Sequence, residues 1–103
     1  MNPSLPPAQR NILTVTQLNR ATSQLLGEHF LSVLVEGEIS NLSAPSSGHL
    51  YFSLKDANAQ VRCAMFKTQQ RRLAFKPENG KQVVVRAQVS LYEPRGDFQL
   101  IVE

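Results

Sequence analysis

A chain of 103 residues with a formal charge of +3 and a hydrophobic fraction of 42% has the length of one compact domain and too much apolar content for a disordered segment. No apolar run approaches the roughly 18 residues of a membrane span, and the opening Met1-Asn2-Pro3-Ser4-Leu5-Pro6-Pro7 lacks the basic start and apolar stretch of a secretory signal. The lone Cys63 has no internal disulfide partner and sits in an apolar pattern, which suggests a buried thiol and a cytoplasmic home without a membrane association.

In chain order, residues 1–11 are Pro-rich and polar, as expected of a flexible tail. Residues 14–26 predict a helix capped by Thr14 or Thr16, with Leu18, Ala21, Leu25 and Leu26 as an apolar stripe and Gly27 as the stop. From Leu31 the period changes to two. A first strand over 31–41 directs Val33, Val35 and Ile39 inward, and Gly37 in its middle predicts a bulge or sharp bend. A second strand over 49–55 points Leu50, Phe52 and Leu54 one way and Tyr51, Ser53 and Lys55 the other. The Asp56-Ala57-Asn58-Ala59 turn leads to a third strand over 60–66, with Val61, Cys63 and Met65 inside.

Residues 67–75 predict a short helix ended by Pro77, and Glu78-Asn79-Gly80-Lys81 a tight turn. A fourth strand over 82–92 alternates Val83, Val85, Ala87, Val89 and Leu91 with Val84, Arg86, Gln88, Ser90 and Tyr92. The turn Glu93-Pro94-Arg95-Gly96-Asp97 precedes a fifth strand over 98–102. Five strands, with a helix in front and a short helix between the third and fourth, describe a mainly β chain with the layout of the Greek-key barrel called the OB-fold. An open antiparallel sheet with a helix on one face is the rival; closure is favoured because it hides the strand edges. Residues 12–103 are expected to form this single nucleic-acid-binding domain.

Charge is uneven along the chain. Arg62, Lys67, Arg71, Arg72, Lys76, Lys81 and Arg86 face Glu78 alone over residues 62–86, whereas Glu28, Glu36 and Glu38 lie earlier. Such asymmetry suggests an anionic partner, or else a solvated basic flank. Tyr51 and Phe66, on the outer face of the second and third strands, are stacking candidates; the competing role for either ring is to cover the neighbouring helix. Lys55, Arg62 and Arg86 are phosphate candidates. His49 in the loop between strands 1 and 2 and Arg95 at the tip between strands 4 and 5 can flank one nucleic-acid strand, since these loops border the same groove in an OB barrel. His49 can equally be a hydrogen-bonded loop residue.

Catalytic chemistry has little foothold. His49, Ser53 and Asp56 contain the letters of a hydrolytic triad on too short a segment of strand to meet. Two distant histidines and one cysteine give no metal-ligand pattern, and neither metal nor cofactor is expected. Arg95-Gly96-Asp97 reads as a turn.

The ordered motifs Glu36-Gly37-Glu38-Ile39-Ser40-Asn41, Ser47-Gly48-His49, Tyr51-Phe52-Ser53-Leu54-Lys55-Asp56 and Val61-Arg62-Cys63-Ala64-Met65-Phe66 resemble the amino-terminal domain of the exodeoxyribonuclease VII large subunit. Val85-Arg86-Ala87, the run from Leu91 to Gln99 and the early Val15-Thr16-Gln17-Leu18-Asn19 extend the likeness. The resemblance implies a barrel that binds single-stranded DNA for a bacterial cytoplasmic nuclease, which shortens such DNA to oligonucleotides and assembles with small subunits through downstream regions. That family's catalytic region lies beyond Glu103, so a non-enzymatic fragment of the large subunit is expected. Two alternatives remain open: an anticodon-type RNA-binding barrel, and a protein-interaction barrel.

Overall fold

Strands with one apolar face can hide both that face and their edges by closing on themselves. In the computed structural model, which describes residues 12–70, 73 and 76–103, they do so. The elements are α1 (Val15–His29), β1 (Val33–Ser43), β2 (Leu50–Lys55), β3 (Gln60–Met65), α2 (Lys67–Gln70), β4 (Gln82–Tyr92) and β5 (Asp97–Val102). The strands form a closed barrel in the order β1-β2-β3-β5-β4. β3 and β5 run parallel, and the other neighbours are antiparallel. Pairing of β1 with both β2 and β4 rules out the open sheet. The expected tail over 1–11 and residues 71, 72, 74 and 75 of the expected second helix lie outside the described residues.

Period-two alternation sorts the faces as the sequence predicts. Leu50, Phe52, Leu54, Cys63, Met65, Val83, Val85 and Val89 are buried in one core with Ile39, Ala87, Leu100 and Val102; Val61 packs against it half-buried. Ser53 departs from its expected outward exposure and is buried. Its short side chain sits mid-ladder between Ser40 and Arg62, too small to reach past its neighbours.

β1 serves both halves of the barrel. Its residues Val33–Glu38 pair with β4, and from Glu38 onward it pairs with β2. The handover falls at Glu38, next to Gly37, where an added Cβ would lie 2.8 Å from Leu54 Cγ and 2.9 Å from the Lys55 carbonyl oxygen. Gly37 is therefore there for close approach. The register shift expected of it lies farther on, between Ser40 and Ser43, where Asn41 takes φ +51°. Asn79 braces this irregularity by accepting a 2.9 Å hydrogen bond from the Leu42 amide.

Two further turns follow from local chemistry. Asp56 Oδ1 accepts from the amides of Asn58 (2.8 Å) and Ala59 (2.9 Å), closing the β2–β3 hairpin. These backbone bonds hold its carboxyl below the usual carboxylate range. Between β4 and β5 the amides of Arg95 and Gly96 both donate to the Tyr92 carbonyl, and Gly96 supplies φ +70°.

The first helix differs most from expectation. A capping box of Thr14 and Gln17 starts it, and it runs through Gly27 to His29. Gly27 does not stop it, because the chain stays helical until Phe30 caps it with a bond to the Leu26 carbonyl. Of the expected apolar stripe only Leu26 packs against the core: Leu18 and Leu25 are 53% and 65% exposed, and Ala21 is exposed. The packed positions are Asn19, Thr22, Ser23, Leu26 and Gly27, all half-buried. Polar side chains win this face because they reach open backbone groups of the β4–β5 hairpin. No helix among the described residues is long and apolar enough to cross a membrane.

Gly37→Ala should destabilise the barrel by about 1–3 kcal/mol, the range for overfilling a packed site; urea unfolding of the two proteins measures it. Burial pushes the Cys63 thiol up to about 12. The unfolded thiol ionises first as pH rises, so this contribution to stability is complete below the unfolded thiol pKa of about 8.5 and declines above it. Cys63 should accordingly resist a thiol-labelling reagent at pH 8 until denaturant is added.

Candidate nucleic-acid interface

On the outer face, ladder pairing converts strand order into rows of side chains. One row runs Ser53, Arg62, Gln99, Ser90 across β2, β3, β5 and β4. Tyr51 lies on the same face of β2, two residues from Ser53, and Tyr92 pairs with Asp97 where the β4–β5 hairpin begins. A shallow groove results, lined by Tyr51, Arg62, Ala64, Tyr92, Arg95, Asp97 and Gln99 over the edge of Cys63. Both rings are accessible, Tyr51 at 38% and Tyr92 at 49% exposure. Among the described residues the guanidinium groups of Arg62 and Arg95 have no ion-pair partner. Rings for base faces and uncommitted cations for phosphates are the elements of single-strand binding.

Of the residues expected to bind, Tyr51, Arg62 and Arg95 meet in this groove. The remainder have other surroundings. Lys55 ends β2 with its Nζ 3.6 Å from Glu38 Oε2, so part of its charge is already answered. His49 Nδ1 accepts a 3.0 Å bond from the Lys67 amide, and its ring lies edge-on to Phe66 at 5.3 Å. That pair ties the β1–β2 loop to the start of α2, the hydrogen-bonded role for His49. Phe66, expected within the third strand, follows its end at Met65 and is still 43% exposed. Arg86 lies on another side of the barrel, opposite Leu34 of β1, with its carbonyl accepting from the Glu103 amide at 2.8 Å. His49, Ser53 and Asp56 do not converge, since the first is bonded to Lys67 and the last to its own turn.

Tyr92, Asp97 and Gln99 were not among the expected binding residues. The signal was present: alternation puts Tyr92 on the outward set of β4, and a four-residue turn brings β5 back beside it. Gln99 is held in place by donating from Nε2 to Ser90 Oγ at 3.2 Å.

The hairpin rim of the groove is anchored by α1. Asn19 Nδ2 donates to the Glu93 carbonyl at 2.8 Å, Arg20 Nε meets Glu93 Oε1 at 3.4 Å, and Ser23 Oγ accepts from the Leu91 amide at 3.4 Å.

A family profile described as OB-fold nucleic acid binding domain matches residues 13–103. The chain belongs to this family. Curated relatives named exodeoxyribonuclease 7 large subunit share the sequence closely. The protein of Pectobacterium atrosepticum is 58% identical over 92 residues, that of Klebsiella pneumoniae strain MGH 78578 57% over 103, and that of Haemophilus influenzae Rd 59% over 93. These alignments cover 89%, 100% and 90% of this chain but 20%, 22% and 21% of the relatives, so the chain spans about a fifth of their length. Among solved structures, that of a candidate aspartyl-tRNA synthetase from Leishmania major Friedlin superposes with a TM-score of 0.56 over 99% of this chain and 21% of that one. At 18% identity it supports the barrel fold alone.

Asn19→Ala should lower stability by about 0.5–1.5 kcal/mol through loss of one hydrogen bond. Its signature is local: amide exchange at Arg95 and Gly96 should quicken far more than at Leu54 or Val85. Hydrogen exchange followed by NMR reads both.

Proposed function

We propose that residues 12–103 form one binding module that holds single-stranded DNA across the Tyr51–Tyr92 groove and presents it to a nuclease of which this chain is a part. The observation carrying this reading is the groove itself: two accessible tyrosines and two uncommitted arginines on one outer face of an OB barrel. DNA is favoured over RNA by the name shared by the relatives, exodeoxyribonuclease 7 large subunit. That name also supports an assembly with smaller subunits through regions beyond this chain, and a cytoplasmic setting suits the buried thiol of Cys63. In this reading the module binds and does not cut: His49 is bonded to the Lys67 amide and Asp56 to its own turn, away from Ser53, and hydrolysis belongs to the rest of the nuclease.

In this mechanism a strand lies along the outer faces of β2, β3 and β5 with bases on the tyrosine rings. Each stacked base contributes about 1–3 kcal/mol whatever its identity. Arg62 and Arg95 take phosphates from the two sides. Single strands fit because their bases are free to turn onto the rings; in a duplex those faces are already stacked.

Fluorescence anisotropy with labelled oligothymidine, an RNA of equal length and a duplex tests the reading. Single-stranded DNA should bind tightest; equal or tighter binding of the duplex would overturn the proposal, and preference for RNA would favour the anticodon-type barrel. Arg62→Ala should reduce the log–log salt slope by roughly 0.7, the value for one phosphate on a single strand. Tyr51→Ala and Tyr92→Ala should each weaken binding by about 1–3 kcal/mol with the slope nearly unchanged, because a ring releases no counterions. Thermal melts of all three variants separate lost contact from lost fold.

A further inference from the structure

Phosphate and ring contacts leave one groove residue without a role. Asp97 opens β5 opposite Tyr92, on the same outer face as Gln99 two positions later. Arg62 and Arg95 line the same groove, yet among the described residues Asp97 has no ion-pair partner. A carboxylate repels phosphate, so the part of a strand over Asp97 must present hydrogen-bond donors. Aspartate at neutral pH accepts and cannot donate. In a single strand the donors within reach are on the Watson–Crick edges of the bases, which pairing would otherwise occupy.

The four bases differ sharply here. Guanine offers two adjacent donors, N1–H and the N2 amino group, in the spacing that a carboxylate accepts through both oxygens. Adenine and cytosine offer one amino group beside a ring nitrogen acceptor. Thymine offers a single N3–H between two carbonyl oxygens, and a carboxylate is repelled by both. Charge-assisted, two-point contacts are the stronger kind. Gln99 adds to the contrast: it lines the same groove with its amide nitrogen engaged by Ser90 Oγ at 3.2 Å, so its carbonyl oxygen is the atom left to serve as a second acceptor.

We propose that Asp97 reads the Watson–Crick edge of one base stacked beside Tyr92 and favours guanine there. The groove then carries a one-nucleotide preference within an otherwise sequence-tolerant contact. This inference rests on the groove being the DNA site.

The test uses the 103-residue chain and labelled oligothymidines of about 10 nucleotides, within the range of one barrel. Each carries one central guanine, adenine, cytosine, inosine or thymine, and anisotropy gives its Kd. The guanine probe should bind about fivefold or more tighter than all-thymine, as a good two-point base contact provides. Inosine lacks the N2 amino group and should lose most of that gain, a result that needs no protein variant. In Asp97→Asn the guanine advantage should fall below about twofold, while the all-thymine probe binds as well or better because a negative charge has left. If the unaltered chain binds all five probes alike, or Asp97→Asn keeps the guanine preference, the inference is wrong and the groove reading survives. A uniform loss over all probes in Asp97→Asn, with a lowered Tm, would assign Asp97 a structural role and overturn it too. No binding to any probe would remove the groove reading and this inference together.

Discussion

Everything on the outer surface depends on β1 being shared. One strand pairs with β4 through its first half and with β2 through its second, and the side-chain-free contact at Gly37 lets the backbone of β2 come close enough for both. With β1 paired on both sides the sheet has no free edge there, and the core residues of β2 and β4 meet. Closure needs this close backbone approach as well as an apolar core. Apolar burial supplies the driving force for collapse, but it does not by itself choose a barrel over an open sheet.

The groove is a by-product of that closure. Once strand order places β3 beside β5 in parallel, Arg62 falls next to Gln99 and the β4–β5 hairpin rises beside β2. Residues far apart in sequence, Tyr51 and Tyr92, then border one depression. The same alternation that buries Phe52 and Cys63 turns Tyr51 and Arg62 outward, so the groove face and the core are two readings of one periodicity. In the groove Arg62 and Arg95 keep their charge unanswered by an ion pair among the described residues. At the opposite end Glu38 answers Lys55.

The barrel was legible in the sequence because each strand carries its own two-residue signal and each turn its own chemistry. Inside positions such as Leu50, Phe52, Val83 and Val85 follow from alternation alone. The groove was half legible. Tyr51 and Arg62 lie on adjacent strands, where pairing can be inferred, whereas Asp97 and Gln99 become neighbours of Arg62 through a parallel pairing between β3 and β5 that no local pattern encodes. Arg86 shows the converse: its alternation is right, but the register of β4 against β1 carries it to another side of the barrel. The helix misled for a different reason. A stripe of leucines usually marks the buried face, and here the hairpin backbone offered hydrogen-bond partners that leucine could not use.

A helix attached by its polar side has an energetic character unlike that of the barrel. α1 contains no buried residue and sets only the half-buried Leu26 against the core, so its docking draws little on the heat-capacity-rich removal of apolar surface that stabilises the core. Besides Leu26, what holds it is its cap and the polar contacts of Asn19, Arg20 and Ser23 with the hairpin. Elements held this way can open as units of their own at a lower free energy than the global transition. When α1 opens, the rim carrying Tyr92 and Arg95 loses its outer support while the barrel stays closed. The floor of the groove thus belongs to the closed barrel and its rim to the part that α1 supports, so opening of the helix would loosen one wall of the groove and leave the other in place.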